Sequence, residues 1–142
     1  MLDLLKPVCA TIARLDLSDP EAARRQLEAA IDAEALEAAV RAATDLTPRS
    51  AGPNVSFGRV AKPTEATHGL SVDAVEMEGQ AAEHTHPNGE VSFCVVLDGE
   101  PTFMGQPPGW VVVPPGSRHV PTVEGGRMRI LYFLPGGAMI WH

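Results

Sequence analysis

From residue 54 onward the chain is a succession of short apolar runs, each closed by glycine or proline: NVSFGRV, GLSVDAVEM, VSFCVVL, PTFM, WVVVP, HVPTV, RMRILYFL and AMIW. Runs this short, rich in β-branched residues and evenly punctuated, are strands, and many such strands in one small chain make an all-β sandwich or barrel. The first fifty residues have another texture, in which Ala, Leu, Glu and Arg dominate. There Leu4, Leu5, Val8, Ile12 and Leu15 recur at helical spacing, with Pro7 in a first turn or at a kink. Ser18 or Asp19 can cap a second helix, Pro20 suits its first position, and Glu21 favours the positive end of the helix dipole. Leu27, Ile31, Leu36 and Val40 give that helix an apolar stripe with a break around Asp32. The turn-rich LTPRSAGPN, residues 46–54, joins the halves. The expectation is a mainly β, single-domain protein: an α-helical extension over residues 1–50, packed on the rest of the fold or on a second subunit, and a β-barrel domain over 51–142.

Composition removes whole classes of function. A formal charge of −7 and a pI near 5.1 oppose nucleic acid, whose phosphates such a surface repels, and no helix-turn-helix stands out. No apolar stretch reaches the roughly 18 residues that a bilayer-spanning helix needs. The first twenty residues place Asp3 ahead of any base and do not read as a secretory signal. Cys9 and Cys94 form no CxxC pair, which points to a reducing cytoplasm. The apolar AMIWH at residues 138–142 is expected to dock on the barrel or on a partner subunit, with a homodimer as the assembly.

Two strings remain, HTHPNGE at residues 84–90 and PPGSRH at 114–119, and together they hold three of the five histidines. Alternate residues of a strand share a face, so His84 and His86 project together while Thr85 points away. Pro87, Asn88 and Gly89 turn the chain, and Glu90 opens the next strand. His119 follows a tight Pro-Gly turn out of WVVVP. Three imidazoles and a carboxylate suit Fe, Mn, Ni, Cu or Zn, with open positions left for water or substrate. His68 and His142 belong to neither string and are not counted as ligands.

HTHPNGE resembles the first cupin motif, HxHxxxE, and GWVVVPPGSRH the second, in which a glycine leads to PxGxxH. This resemblance, over about residues 70–134, implies a double-stranded β-helix barrel holding a metal at His84, His86, Glu90 and His119. Two departures stand out. Glu90 and Gly99 enclose eight residues where six are usual, and the alternative register puts Ser92 at the ligand position; two residues preserve strand parity, so Glu90 and Ser92 both face inward. Val123 stands where the motif often has asparagine.

The leader LDLSDPEAARRQLEAAI, followed by GEVSFCVVLDG, GQPPGWVVVPPGSRHVPTVEGG and RILYFLPGGAMIW, is similar to the 4-hydroxylaminobenzoate lyase family over nearly the whole chain. The similarity implies a metal-dependent lyase that turns 4-hydroxylaminobenzoate into 3,4-dihydroxybenzoate and ammonia during nitroaromatic breakdown. On that reading His119 serves the chemistry as a metal ligand, and Glu90 is a further ligand or a proton shuttle. An aromatic acid also needs a cation: Arg118, beside His119, and Arg129, on RMRILYFL, are the candidates, with Ser92 as a further substrate contact. Arg129 alternates with Leu131 and Phe133, Tyr132 faces the other way, and one set alone can line the site. Cys94 shares the inward parity as a small buried hydrophobe, and Trp110 and Trp141 are core or interface fillers. The same ligands would also serve an oxygenase or isomerase, or a binding protein without turnover.

Overall fold

The computed structural model describes residues 1–142. Three helices come first: α1 (Leu2–Ile12), α2 (Pro20–Ala30) and α3 (Ala33–Ala42). Asp19 caps α2 by accepting the Ala22 N–H, with Pro20 at the first helical position, where its missing donor costs nothing. The break expected around Asp32 is a second start: its carboxylate accepts the Ala35 N–H and caps α3, so one apolar stripe is carried by two helices. Pro7 lies inside α1 beyond its first turn, so the helix forgoes one backbone bond there.

Nine strands follow: β1 (Arg49–Gly52), β2 (Val55–Ala61), β3 (Leu70–Gln80), β4 (His84–His86), β5 (Glu90–Phe103), β6 (Gly109–Val113), β7 (Ser117–His119), β8 (Thr122–Pro135) and β9 (Ile140–Trp141). They form two antiparallel sheets, a large one in the order β1-β2-β3-β8-β5-β6 and a small one in the order β7-β4-β9. No ring of hydrogen bonds closes them into a continuous barrel. The sheets instead meet face to face, with His86 of the small sheet against Glu90 of the large one.

Strand parity sorts the two faces of the large sheet. On the outer face Val72, Ala74, Val91, Phe93, Leu131 and Phe133 form one buried cluster with Leu5, Val8, Ile12, Leu27, Leu36 and Val40 of the helices. The helical leader therefore packs on its own chain's sheet. On the inner face Met77, Cys94, Val111, Met128, Ile130 and Tyr132 form a second cluster.

The long spacing between Glu90 and Gly99 is absorbed within β5. Its register against β8 shifts between Val96 and Asp98 and again between Gly99 and Thr102, at the end away from the histidines. Gly99 sits at φ +75°, and a Cβ there would meet the Gly125 carbonyl oxygen at 2.5 Å, so this crossing needs glycine. Upstream of the shifts Glu90, Ser92 and Cys94 all keep the inward face, and all three are buried.

Candidate metal centre

The small sheet assembles the imidazoles. β4 and β7 pair antiparallel with His84 opposite His119 and His86 opposite Ser117, so the side chains of these four residues leave the ladder on one face. The positive φ of Gly116 (+81°) and a bond from Ser117 N–H to the Pro114 carbonyl make the turn that brings β7 back to β4. His119 Nε2 then lies 2.9 Å from His86 Nε2 and 3.1 Å from His84 Nε2. His84, His86 and His119 are the set of mutually close potential ligand atoms in the chain.

The protonation states decide what this cluster can hold. Burial, and after it the charge of the neighbouring imidazoles, pushes His84 down to about 4 and His86 to about 3; burial also lowers His119. All three rings are thus neutral near pH 7. His84 Nδ1 lies 3.1 Å from the Ala82 carbonyl and carries its single proton there, which leaves Nε2 with a bare lone pair. Only His119 can then supply a proton between His84 and itself, and the same proton would have to serve His86 as well. Neutral rings cannot satisfy both short contacts by hydrogen bonding. Two nitrogens bound to one first-row metal at about 2.1 Å, and set at a right angle, stand about 3 Å apart. The observed 2.9 and 3.1 Å therefore fit a shared divalent metal, with the Ala82 carbonyl fixing one ring's tautomer from behind.

Glu90 stands beside this set. Its Oε2 is 3.5 Å from His86 Nε2, and within 4 Å it meets no other histidine. Both carboxylate oxygens are buried with no hydrogen-bond partner. The Ser92 hydroxyl, two residues along on the same face, pulls the carboxyl's pKa down slightly without closing a full hydrogen bond. Burial dominates and holds Glu90 up at about 8, so it is largely protonated at neutral pH.

A cavity of about 620 Å³ opens from His84 between the sheets, a volume typical of small-molecule sites. Its wall is largely apolar and includes Phe57, Val75, Tyr132, Leu134, Met139 and Trp141. Tyr132, rather than the Arg129 set, faces it, and burial raises the Tyr132 hydroxyl well above its usual pKa, so it stays a proton donor. The end of the chain does dock on its own small sheet: β9 pairs with β4, and the Trp141 ring meets His84 edge-on at a centroid distance of 5.3 Å. Trp141 is 64% exposed and lines the cavity mouth, while Trp110 packs against Phe93 in the core.

Neither arginine singled out in the sequence lines this cavity. Arg118 lies opposite Thr85, between Ser117 and His119, so it leaves β7 on the far face and pairs with Glu83 in solvent at 3.1 Å. Arg129 lies on the outer face of β8, where it donates to the Val40 and Ala43 carbonyls at the end of α3, each at 2.7 Å, and pairs with Glu76 at 3.2 Å. The cation in the cavity wall is Arg59, which the sequence reading passed over. Its signal was present: in NVSFGRV, Arg59 shares parity with Val55 and Phe57, a base on an otherwise apolar face.

Two facing sheets with a trio of convergent imidazoles define a cupin. Solved structures agree on the fold: a cupin-like protein from Thermotoga maritima superposes with a TM-score of 0.51 at 15% identity, covering 70% of this chain and 86% of that one. An RmlC-like cupin from Ralstonia eutropha gives 0.50 at 12% identity, covering 68% of this chain and 64% of that one. Within the cupins, the family model for 4-hydroxylaminobenzoate lyase matches residues 27–141, and the chain belongs to that family. Among named relatives, 4-hydroxylaminobenzoate lyase of Pseudomonas putida is 31% identical over 102 residues, which is 61% of this chain and 58% of that protein. The protein of the same name from Nocardioides sp. (strain LMS-CY) is 33% identical over 94 residues, 61% of this chain and 56% of that protein. The chain thus spans somewhat over half the length of these relatives.

Proposed function

We propose that this protein is a metal-dependent lyase that converts 4-hydroxylaminobenzoate and water into 3,4-dihydroxybenzoate and ammonia. One observation carries the reading: three neutral imidazole nitrogens converge beside a buried, protonated carboxyl, and one of the three rings, His84, lines an apolar cavity. The reaction is redox-neutral. The N–O bond breaks with its electron pair leaving on oxygen, which departs as water once protonated. Water adds to the ring carbon next to the nitrogen-bearing one, a second water hydrolyses the imine and releases ammonia, and loss of the ring proton restores aromaticity.

His84, His86 and His119 would hold a divalent metal such as Fe, Mn, Ni or Zn, which when bound supplies Lewis acidity and a water of lowered pKa. Glu90 carries the proton that the departing oxygen requires, and its burial next to His86 keeps that proton in place until substrate arrives. The Tyr132 hydroxyl, facing the same cavity, offers a further hydrogen bond to the bound substrate. The apolar wall accepts the flat ring of the substrate.

The test is ammonia release from 4-hydroxylaminobenzoate under anaerobic conditions by metal-loaded protein. Stoichiometric ammonia and 3,4-dihydroxybenzoate are expected, and His119→Ala should lose both bound metal and turnover. Dependence of turnover on oxygen would favour an oxygenase, and full activity in His119→Ala would remove the proposed centre.

A further inference from the structure

The inner face of the large sheet is apolar along most of its length, but one transverse row across it is polar. In register, Arg59 of β2 lies opposite Asp73 of β3, Asp73 opposite Tyr132 of β8, and Tyr132 opposite Ser92 of β5. The next inward row on one side sets Phe57, Val75, Ile130 and Cys94 side by side. The polar row runs from Ser92, which is buried next to Glu90, outward to Arg59 at the edge of the cavity. Neighbouring strands lie about 4.8 Å apart, so Arg59 stands roughly 10 Å from Tyr132 along this row. A benzene ring substituted at both ends of one axis bridges such a gap.

Arg59 is placed like a receptor for an anion. Its Nε donates to Asp73 Oδ1, which orients the guanidinium, and no other hydrogen bond or ion pair engages it. The Nη1/Nη2 edge, the pair of parallel donors that matches a carboxylate, is therefore free. The Arg59 side chain is 51% exposed, so an incoming ligand reaches it without rearranging the core. It is the one basic side chain other than His84 in the cavity wall, and Phe57 beside it offers a flat apolar surface. The Asp73 carboxylate, and Glu78 in the same wall, oppose an anion and instead invite a cation. The free fork decides between the two, because Asp73 spends its charge on the Nε side.

We infer that the Arg59 guanidinium, oriented by Asp73 at the cavity mouth, selects aromatic carboxylates for this site. The ring then lies along the Asp73–Tyr132 row with its other end toward His84 and Glu90. The inference rests on the lyase reading for the substrate's class, but it makes a claim about binding that needs no turnover. Arg59 acts here as a specificity-determining residue, and Asp73 as the residue that positions it.

Calorimetric titration with sodium benzoate, benzamide and benzylamine tests it, on metal-loaded protein and again after chelation. The wild type should prefer benzoate to its neutral isostere benzamide by about tenfold, the worth of one charge-assisted pair. Arg59→Ala should erase that preference while leaving benzamide affinity in place, and Arg59→Lys should restore part of it. Arg118→Ala should change nothing. The preference should survive chelation, because Arg59 lies at the far end of the row from the histidines. Equal loss of benzoate and benzamide in Arg59→Ala, a wild-type preference for benzylamine, or a benzoate preference that vanishes with the metal would each overturn the assignment. Arg59-dependent selection of benzoate without ammonia release would sink the lyase reading and leave this inference standing. Ammonia release undiminished in Arg59→Ala, with unchanged KM, would do the reverse.

Discussion

Glu90 is the residue on which the chemistry and the stability of this site meet. In the chelated protein its carboxyl titrates at about 8 when folded, against an ordinary value of 4.5, because burial disfavours the charge. The folded state then holds more protons than the unfolded state between those values, so its stability falls as pH rises through that window. The imidazoles act in the opposite sense. Held down at about 4 for His84 and about 3 for His86, against 6.5 in the open, they favour the folded state above pH 6.5, and that contribution is lost as pH falls through their folded values. Above pH 6.5 the histidines no longer contribute a slope and Glu90 acts alone. Thermal melts of chelated protein should therefore show stability dropping between pH 6.5 and 8, by up to about 1.4 kcal/mol per pH unit. Glu90→Gln, which cannot ionise, should flatten that decline. Parallel declines in both proteins would mean that the carboxyl is not buried in its neutral form.

At the scale of elements, each arginine's role follows from the face its strand presents. Arg129 caps α3: its guanidinium takes the Val40 and Ala43 carbonyls, which the helix leaves without internal donors, and it ties them to Glu76 of β3. Arg129→Leu should accordingly cost about 2 kcal/mol in denaturant unfolding, chiefly through the orphaned carbonyls, since Glu76 keeps Arg127 as a partner. Benzoate affinity should stay within about twofold, since a lost pair to ligand would cost tenfold or more. A large affinity loss without a stability loss would return Arg129 to the site. These arginines also mark how far the sequence could be read. The strand runs, the Asp19 cap, the break at Asp32 and the shared face of His84 and His86 are local matters, set by neighbours within a few residues. Whether Arg129 or Tyr132 faces the cavity was legible only as an either-or, because parity separates two faces without saying which one a helix covers. Arg59 was out of reach for a stronger reason. Its place beside Asp73, Tyr132 and Ser92 depends on pairings among four strands, three of which are far apart in the chain.

For the molecule as a whole, the two sheets are held very unequally. The large sheet has two strands of fourteen residues and one of eleven, with a buried cluster on each face. The small sheet has strands of three, three and two residues, and it exposes Ile140 and Trp141 at its edge. So few ladder bonds and so little buried apolar surface make β4, β7 and β9 the natural place for local opening. All three histidines are on β4 and β7, so a ligand shared by them ties this weak sheet together at its crossing pair, His84 and His119. Occupancy at a hundred times Kd adds about 2.7 kcal/mol to whatever it holds closed. Hydrogen exchange followed with and without divalent metal should therefore slow by about a hundredfold for the amides of residues 84–86 and 117–119. Amides of β3 and β8 that exchange by local openings which leave the small sheet and its histidines in place should move much less. His119→Ala should abolish the local effect while keeping the exchange of β3 and β8 near that of chelated wild type. Uniform slowing across both sheets would show instead that the protein opens as one unit, with the small sheet no weaker than the large.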